Sequence, residues 1–360
     1  MPYGGYVARS SLALAALATV AIPRLKPVAT QKVPSTTDFD LARVLDANQR
    51  SWTVKAPRST ISGAAMEGEV ALLDNLARLS TTPSLPFQVP RPQGFAPLPE
   101  GGRAVIYPEV PGIPLGNGDL DSFSEALIPT LCALHSLPTT VLTDTGLPTF
   151  EAEEYRERKI AEVDEGAQTG QVPKSLLKRW RRACKANQMW RFNPTVVHGD
   201  LAPEHILVDD HTVVGVIEWA AAHVGDPAED LSPLLAQAPE ETMVSFIISY
   251  AQTRALTDEY LLARTVFASE LAVLRWLMHG IRTNTNTIIA DAEQMLADLA
   301  QATSDAEPID EISLNPSENS SPMPSFARPG SHAIPLTDPT HSPHSEGDYP
   351  TMELPIEPEP

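Results

Sequence analysis

The chain has 360 residues, enough to bury a substantial core as one two-lobed unit or two small domains. A formal net charge of −20 argues against a nucleic-acid surface and against polybasic docking to acidic lipid. The two cysteines, Cys132 and Cys184, lie far apart, which excludes a disulfide framework and a cysteine-based metal site and fits a reducing cytoplasm.

Arg9 precedes a short apolar run over residues 11–23. Only one basic residue stands before it, Ala and Leu recur at helical spacing, and the run is too short to span a bilayer. It therefore reads as a buried helix rather than a secretory signal. Residues 28–58 read as extended segments, with strands at 43–46 and 51–56 flanking a polar turn at 47–50 and Pro57 ending the second. Met66, Val70, Leu72, Leu73, Leu76 and Leu79 then follow helical spacing, so a helix covers 64–79. Residues 83–99 are proline-rich and irregular, 103–107 a strand, and 108–118 a turn-rich connector between a small sheet-containing lobe and a mainly helical one. Segments 121–137, 151–166, 173–187 and 240–302 carry helical patterns and enclose a strand pair at 205–208 and 213–218. From 303 to 360 there are twelve prolines, and eleven acidic residues stand against the single cation Arg328. That tail holds half of the net charge, and its composition predicts disorder.

The densest chemistry lies in His198-Gly199-Asp200-Leu201-Ala202-Pro203-Glu204-His205-Ile206-Leu207-Val208, followed by Gly215-Val216-Ile217-Glu218-Trp219. An acid and a potential metal ligand sit five positions apart on one loop, and a strand, a turn and a second strand return another acid to the same region. The layout suits phosphoryl transfer: one group steers an acceptor hydroxyl while two hold the metal that neutralises the phosphates. Taken singly, Asp200 reads equally as a turn cap, His205 as a satisfied core residue and Glu218 as a polar strand end. A G-x-x-x-x-G-K-S/T loop is absent, which argues against a P-loop fold.

HGDLAPEHIL, GVIEW and the later Gly225-Asp226-Pro227-Ala228-Glu229-Asp230-Leu231 resemble the aminoglycoside phosphotransferase family. More narrowly they resemble its macrolide phosphotransferase branch, where His takes a position most relatives fill with Asn. The resemblance extends through Trp180-Arg181-Arg182 and Trp190-Arg191-Phe192 back to Lys55 and Glu69, reaches Leu274-Arg275-Trp276-Leu277, and covers most of residues 10–302. It implies an α+β, two-lobed protein-kinase-like fold with a nucleotide-binding lobe over 10–110 and a catalytic and substrate lobe over 111–302, and it does not reach the tail over 303–360, whose disorder is read from composition alone.

By the same resemblance, Asp200 matches the catalytic aspartate, and His205 and Glu218 fall at the Mg²⁺-ligand positions. Glu218 stands where the family carries Asp, and its extra methylene moves the oxygens by about 1.5 Å. Lys55 corresponds to the lysine that reaches the α- and β-phosphates and Glu69 to the glutamate that fixes its rotamer, with Glu67 competing for the second role. Tyr107, Glu109 and Val110 correspond to the hinge that faces the purine. His198, Asp226 and Asp230 are expected as scaffolding beside the site, and Asp226-Pro227 also reads as a helix N-cap. His135 is expected to pack or bond locally. Phe267, Trp276 and Met278 either line an apolar substrate wall or belong to the core. Whether the acids at 151–165 and 240–241 converge, as a polycationic substrate would require, is left open by the residues.

The activity implied is transfer of the γ-phosphoryl of GTP or ATP, with Mg²⁺, to a hydroxyl of a small molecule such as a macrolide. Partners would be a nucleoside triphosphate and a small hydroxylated substrate, with no nucleic acid and no membrane. The alternatives are an aminoglycoside or metabolite kinase, or a nucleotide-binding protein with little transfer activity.

Overall fold

The computed structural model describes residues 8–33, 38–79, 85–116, 120–236, 239–314 and 352–353. The apolar run near the start forms α1 (Ser11–Ala21), opened by Ser10, whose side chain accepts the Ala13 N–H, and it buries Leu14, Ala15 and Ala18. Strands β1 (Pro27–Lys32), β2 (Phe39–Asp46) and β3 (Ser51–Pro57) follow. The β2–β3 turn is organised by Asp46, which accepts the N–H groups of Asn48 and Arg50 on one oxygen and Trp52 Nε1–H on the other. Helix α2 (Thr60–Leu79), β4 (Gly94–Pro97) and β5 (Arg103–Pro108) complete this lobe. Strand β4 lies inside the stretch expected to be irregular: it pairs antiparallel with β5 despite the prolines around it.

The pleat of β3 decides where its lysine goes, because successive side chains point to opposite faces. Trp52, Val54 and Ala56 pack with Leu14, Ala18, Val44 and Ile106 beneath α1. Lys55 therefore faces the other side, where Phe39, Leu41, Met66, Val70, Val105 and Tyr107 cluster under α2. The register sets Lys55 opposite Leu41 on one neighbour and Val105 on the other.

The second lobe opens with β6 (Ile113–Pro114) and continues through α3 (Leu120–His135), α4 (Ala152–Gln168) and α5 (Lys174–Lys185). Strand β7 (Thr195–Val197) leads into the HGD loop, and a hairpin of β8 (Ile206–Asp209) and β9 (Thr212–Val216) follows it. Then come β10 (His223–Gly225), α6 (Ala228–Leu235), α7 (Glu240–Thr253), α8 (Leu261–Arg282) and α9 (Asn286–Ala302). Strand β10 pairs with β7, and β6 pairs with β8. The largest core lies here, built on Trp180, Trp190, Phe267, Leu271 and Leu274.

A last strand, β11 (Met352–Glu353), pairs with Thr30 and Ala29 on the edge of the first sheet, whose order is β11-β1-β2-β3-β5-β4. The ordered second lobe also runs past 302, where the tail was expected to begin. A 3₁₀ turn at Ile309–Glu311 docks with Ile309 and Ile312 buried, while Arg179 bonds the Glu307 carbonyl and Arg182 pairs with Asp310 and Glu311. Two isoleucines and a few ion pairs order this stretch, although the average composition of 303–360 is polar. The expectation of disorder over 315–351 and 354–360 lies outside the described residues. No helix among the described residues is long and apolar enough to cross a membrane.

Candidate active site

Helix α2 buries Met66, Glu69, Val70 and Leu73, a stripe at spacings of three and four that carries one acid among apolar residues. That acid meets the lysine of β3: Lys55 Nζ lies 2.8 Å from Glu69 Oε2 and 3.5 Å from Glu218 Oε2, with the Phe39 ring 4.5 Å away. Burial works against the ammonium charge, but Glu69 and then Glu218 outweigh it and raise the Lys55 pKa. Glu67 points elsewhere and makes two bonds to Arg103, at 2.8 and 2.6 Å. Of the two competing glutamates, Glu69 is the one that contacts Lys55.

The HGD loop is held by main-chain contacts to a buried carboxylate. Asp230 on α6 accepts the N–H groups of His198 at 2.7 Å and Gly199 at 2.8 Å, and its Oδ2 also lies 3.0 Å from His135 Nε2. Gly199 has φ +78°, and a Cβ there would sit 2.3 Å from the Ala221 carbonyl oxygen, so backbone strain and contact both require glycine. His198 bridges the loop to the segment carrying Glu218: its Nε2–H donates to the Ile217 carbonyl at 2.8 Å, and its Nδ1 accepts the Asp200 N–H at 3.3 Å. That pattern demands the neutral imidazole.

Burial holds the His198 pKa down to about 4, from an ordinary 6.5, and the opposing pull of Asp230 does not restore it. A stability loss on acidification follows. As the pH falls below 6.5 the unfolded chain takes up a proton at His198 that the folded chain refuses until about pH 4, so folding weakens across that window by up to about 3 kcal/mol. Urea unfolding at pH 7 and at pH 5 checks this: His198→Gln should have a shallower pH slope than the parent chain. Equal slopes would remove His198 from the account.

His205 ends the 3₁₀ turn Pro203–His205 and donates Nδ1–H to the Asp200 carbonyl at 2.7 Å. The lone pair of its neutral ring therefore belongs to Nε2. The Ile217 N–H donates to the His205 carbonyl at 3.0 Å, drawing the two halves of the site together. Glu218 is not the end of a strand, as its neighbours suggest. Strand β9 stops at Val216, and Glu218 adopts a left-handed conformation (φ 65°, ψ 58°) that turns the chain into Trp219–Ala221. Trp219 anchors that turn, fully buried against His198 and Phe87. Among the described residues no three His, Cys, Asp or Glu side chains form a ready metal cage.

Of the residues expected to face the purine, Tyr107 is buried beside Lys55, and burial raises its phenol pKa. The Glu109 N–H donates to the Ser51 carbonyl, and its carboxylate pairs with Arg43 at 2.5 Å. Val110 packs against β9: a Cβ on Gly215 would lie 2.5 Å from Val110 Cγ1.

Other groups owe their positions to the tertiary fold. Asp226 caps α6 through the Ala228 N–H, as its sequence context suggests, and also binds Arg264 at 2.7 Å. Arg264 further bonds Asp258 and the Met189 carbonyl. Two of these partners, Asp226 and Met189, are distant in sequence, and the only hint of them was a single cation inside the apolar start of α8. Phe267 and Trp276 are core residues: Phe267 packs edge-on against Trp190, and Trp276 donates to Asp291. Glu162 and Glu229 are already bonded to Arg275 and Lys159, and Glu229 also to His223. These two carboxylates are thus engaged within the protein.

The family model described as "Phosphotransferase enzyme family" (APH) matches residues 30–264, which include both halves of this site. The chain belongs to that family. It is 25% identical over 213 residues to YcbJ, an uncharacterised protein of Bacillus subtilis (strain 168), a match covering 54% of this chain and 65% of that protein. The chain thus spans about two thirds of that relative's length. The fold is also that of macrolide 2′-phosphotransferase MphH from Brachybacterium faecium, at TM-score 0.65 and 22% identity over 79% of this chain and 96% of that one. Aminoglycoside 2′-phosphotransferase-IIIa in its GDP complex superposes at TM-score 0.68 and 19% identity, over 82% of this chain and 100% of that one. The two-lobed, kinase-like α+β architecture is therefore one that this chain shares with both of these structures.

Proposed function

We propose that this phosphotransferase moves the γ-phosphoryl group of GTP or ATP to a hydroxyl of a small molecule, a macrolide amino sugar being the first acceptor to test. The observation that carries the reading is the linkage of the two halves of the site. Glu218 contacts Lys55, and the next residue inward, Ile217, is bonded through its main chain to both His198 and His205 of the Asp200 loop. In this reading Lys55 neutralises the α- and β-phosphates, its charge secured by Glu69. The Asp200 carboxylate, about one fifth exposed, accepts the proton of the acceptor hydroxyl as its oxygen bonds to the γ-phosphorus. The bond from that phosphorus to the bridging oxygen breaks, the nucleoside diphosphate leaves, and Asp200 returns its proton to solvent. The acceptor class is supported by His205, at the position where the macrolide branch carries histidine.

One carboxylate and one imidazole make an incomplete cage, which suits a Mg²⁺ ion coordinated largely by nucleotide phosphates and water. Glu218 would hold it directly and His205 through Nε2, and the bound ion would offset charge on the transferring phosphoryl group. The ion pair with Lys55 bears on this assignment. Glu218→Asp withdraws the carboxylate by about 1.5 Å and loosens its contact with Lys55. Turnover is expected to be retained or raised. A normally folded but inactive variant would count against metal ligation by Glu218.

The test of the whole reading is the purified chain with Mg²⁺ and GTP or ATP, screened by mass spectrometry against pooled macrolides, aminoglycosides and hydroxylated metabolites. A gain of one phosphoryl group on a macrolide supports it. A gain on another compound keeps the kinase and discards the macrolide. Nucleotide binding with no transfer to any pool member would favour a binding protein over an enzyme.

A further inference from the structure

Helix α5 is amphipathic in an unusual sense. Leu176, Trp180, Ala183 and Cys184 are buried, and Trp180 donates to Glu270 on α8. On the opposite side Lys174, Lys178, Arg181, Arg182 and Lys185 are all exposed and line one groove with Leu177. At about 100° per residue these five cations fall within an arc of about 100°. Such a stripe is an anomaly on a chain of net charge −20. Arg181 is paired with Asp164, and Arg182 with Asp310 and Glu311. Lys174, Lys178 and Lys185 are joined to no carboxylate among the described residues.

We propose that this basic face is the docking surface for residues 315–351 of the same chain. The first argument is where that segment starts. The residues just before it already lie on α5, through Arg179 to the Glu307 carbonyl and Arg182 to Asp310 and Glu311, and Ile309 and Ile312 are buried alongside. The second is reach. Glu318 follows Glu311 by seven residues, up to about 23 Å of extended chain. Lys174 and Lys185 lie only about 12 Å and 5 Å along the helix axis from Arg182. The third is charge. Residues 315–351 carry Glu318, Asp338, Glu346 and Asp348 against Arg328, a surplus of three negative charges for three unpaired lysines. Single exposed ion pairs contribute little, so docking depends on tethering, which sets a local concentration in the millimolar range, and it weakens as salt screens the pairs. The far end of the segment is placed as well, since Met352 and Glu353 lie on the edge of the first sheet.

The experiment is zero-length carbodiimide cross-linking of the full chain followed by peptide mass spectrometry. Expected are links from Lys174, Lys178 and Lys185 to Glu318, Asp338, Glu346 or Asp348 within the monomer band, reduced about fivefold or more at high salt. A full-length variant with Lys174→Gln, Lys178→Gln and Lys185→Gln, all solvent-exposed changes that leave the buried face of α5 intact, should lose them. In a second readout, Glu318→Gln, Asp338→Asn, Glu346→Gln and Asp348→Asn together should speed acetylation of the three lysines. Absence of these links, or unchanged acetylation, overturns the proposal. Links confined to a dimer band overturn it in favour of a second copy. Salt-sensitive binding of duplex DNA by the full chain, lost in the lysine variant, overturns it in favour of an external polyanion.

Discussion

Replacing Asp200 by alanine is expected to lower turnover by about 10²–10⁴-fold, the range a positioned proton acceptor supplies, and to leave nucleotide affinity little changed. The loop should survive the change because the hydrogen bonds that fix it are main-chain ones, while the Asp200 carboxylate lies 3.7 Å from His205 Nδ1. Asp230 holds the His198 and Gly199 amides, His198 takes the Asp200 N–H, and the Asp200 carbonyl binds His205. All of these are main-chain groups of residue 200 or belong to other residues. The carboxylate is partly exposed, so folding stability should also be close to that of the parent. Asp200→Asn, which keeps the shape and loses the basicity, should match alanine in turnover. Steady-state kinetics on an identified acceptor, nucleotide titration and urea unfolding separate the outcomes. Loss of nucleotide binding together with folding would show that Asp200 is structural.

Arg264→Met is expected to destabilise the protein by about 3–5 kcal/mol, the cost of removing one partner from a buried ion pair. Arg264 is 1% exposed, lies 2.7 Å from Asp226 and 2.5 Å from Asp258, and also bonds the Met189 carbonyl. Burial already pushes the Asp226 pKa up, with Arg264 the main force opposing it. Without the arginine the carboxylate is stranded. If the stranded charge is the main cost, Asp226→Asn in the Arg264→Met background restores part of the stability. Equilibrium unfolding of the two single variants and the double one measures this coupling. A loss below about 1 kcal/mol for Arg264→Met would mean that the network is replaceable by packing. The effect should reach the site, because Asp226 caps the helix whose next turn carries Asp230, the anchor of Gly199.

Helical spacing located α2, α3, α4 and α5 closely, and the polar turn at 47–50 located the β2–β3 hairpin, because hydrophobic period and turn chemistry are local properties. Short strands were harder to read. Strand β7 has three residues and β6 two, and in each case the partner strand rather than the residues themselves creates the element. The docked stretch 303–314 was missed for a related reason. Composition is an average over the tail, whereas docking depends on two isoleucines meeting an existing surface.

The candidate site divides in the same way. The sequence by itself determined which residue types are present: an Asp and a His five apart, a glycine before that Asp, a lysine on an alternating strand and an acid in a helical stripe. It therefore determined the class of chemistry and the family. Glu69, the preferred of the two glutamates, meets Lys55, and only the tertiary structure decided that Glu67 turns to Arg103 instead. It also decided that Glu218 turns through a left-handed residue to contact Lys55, that the Glu109 amide is spent on Ser51, and that Phe267 and Trp276 belong to the core. Arg264, with partners at positions 189, 226 and 258, is the extreme case. A buried charge is tolerable only where it is paired, and although Asp258 is near in sequence, Asp226 and the Met189 carbonyl reach Arg264 only in the packed chain.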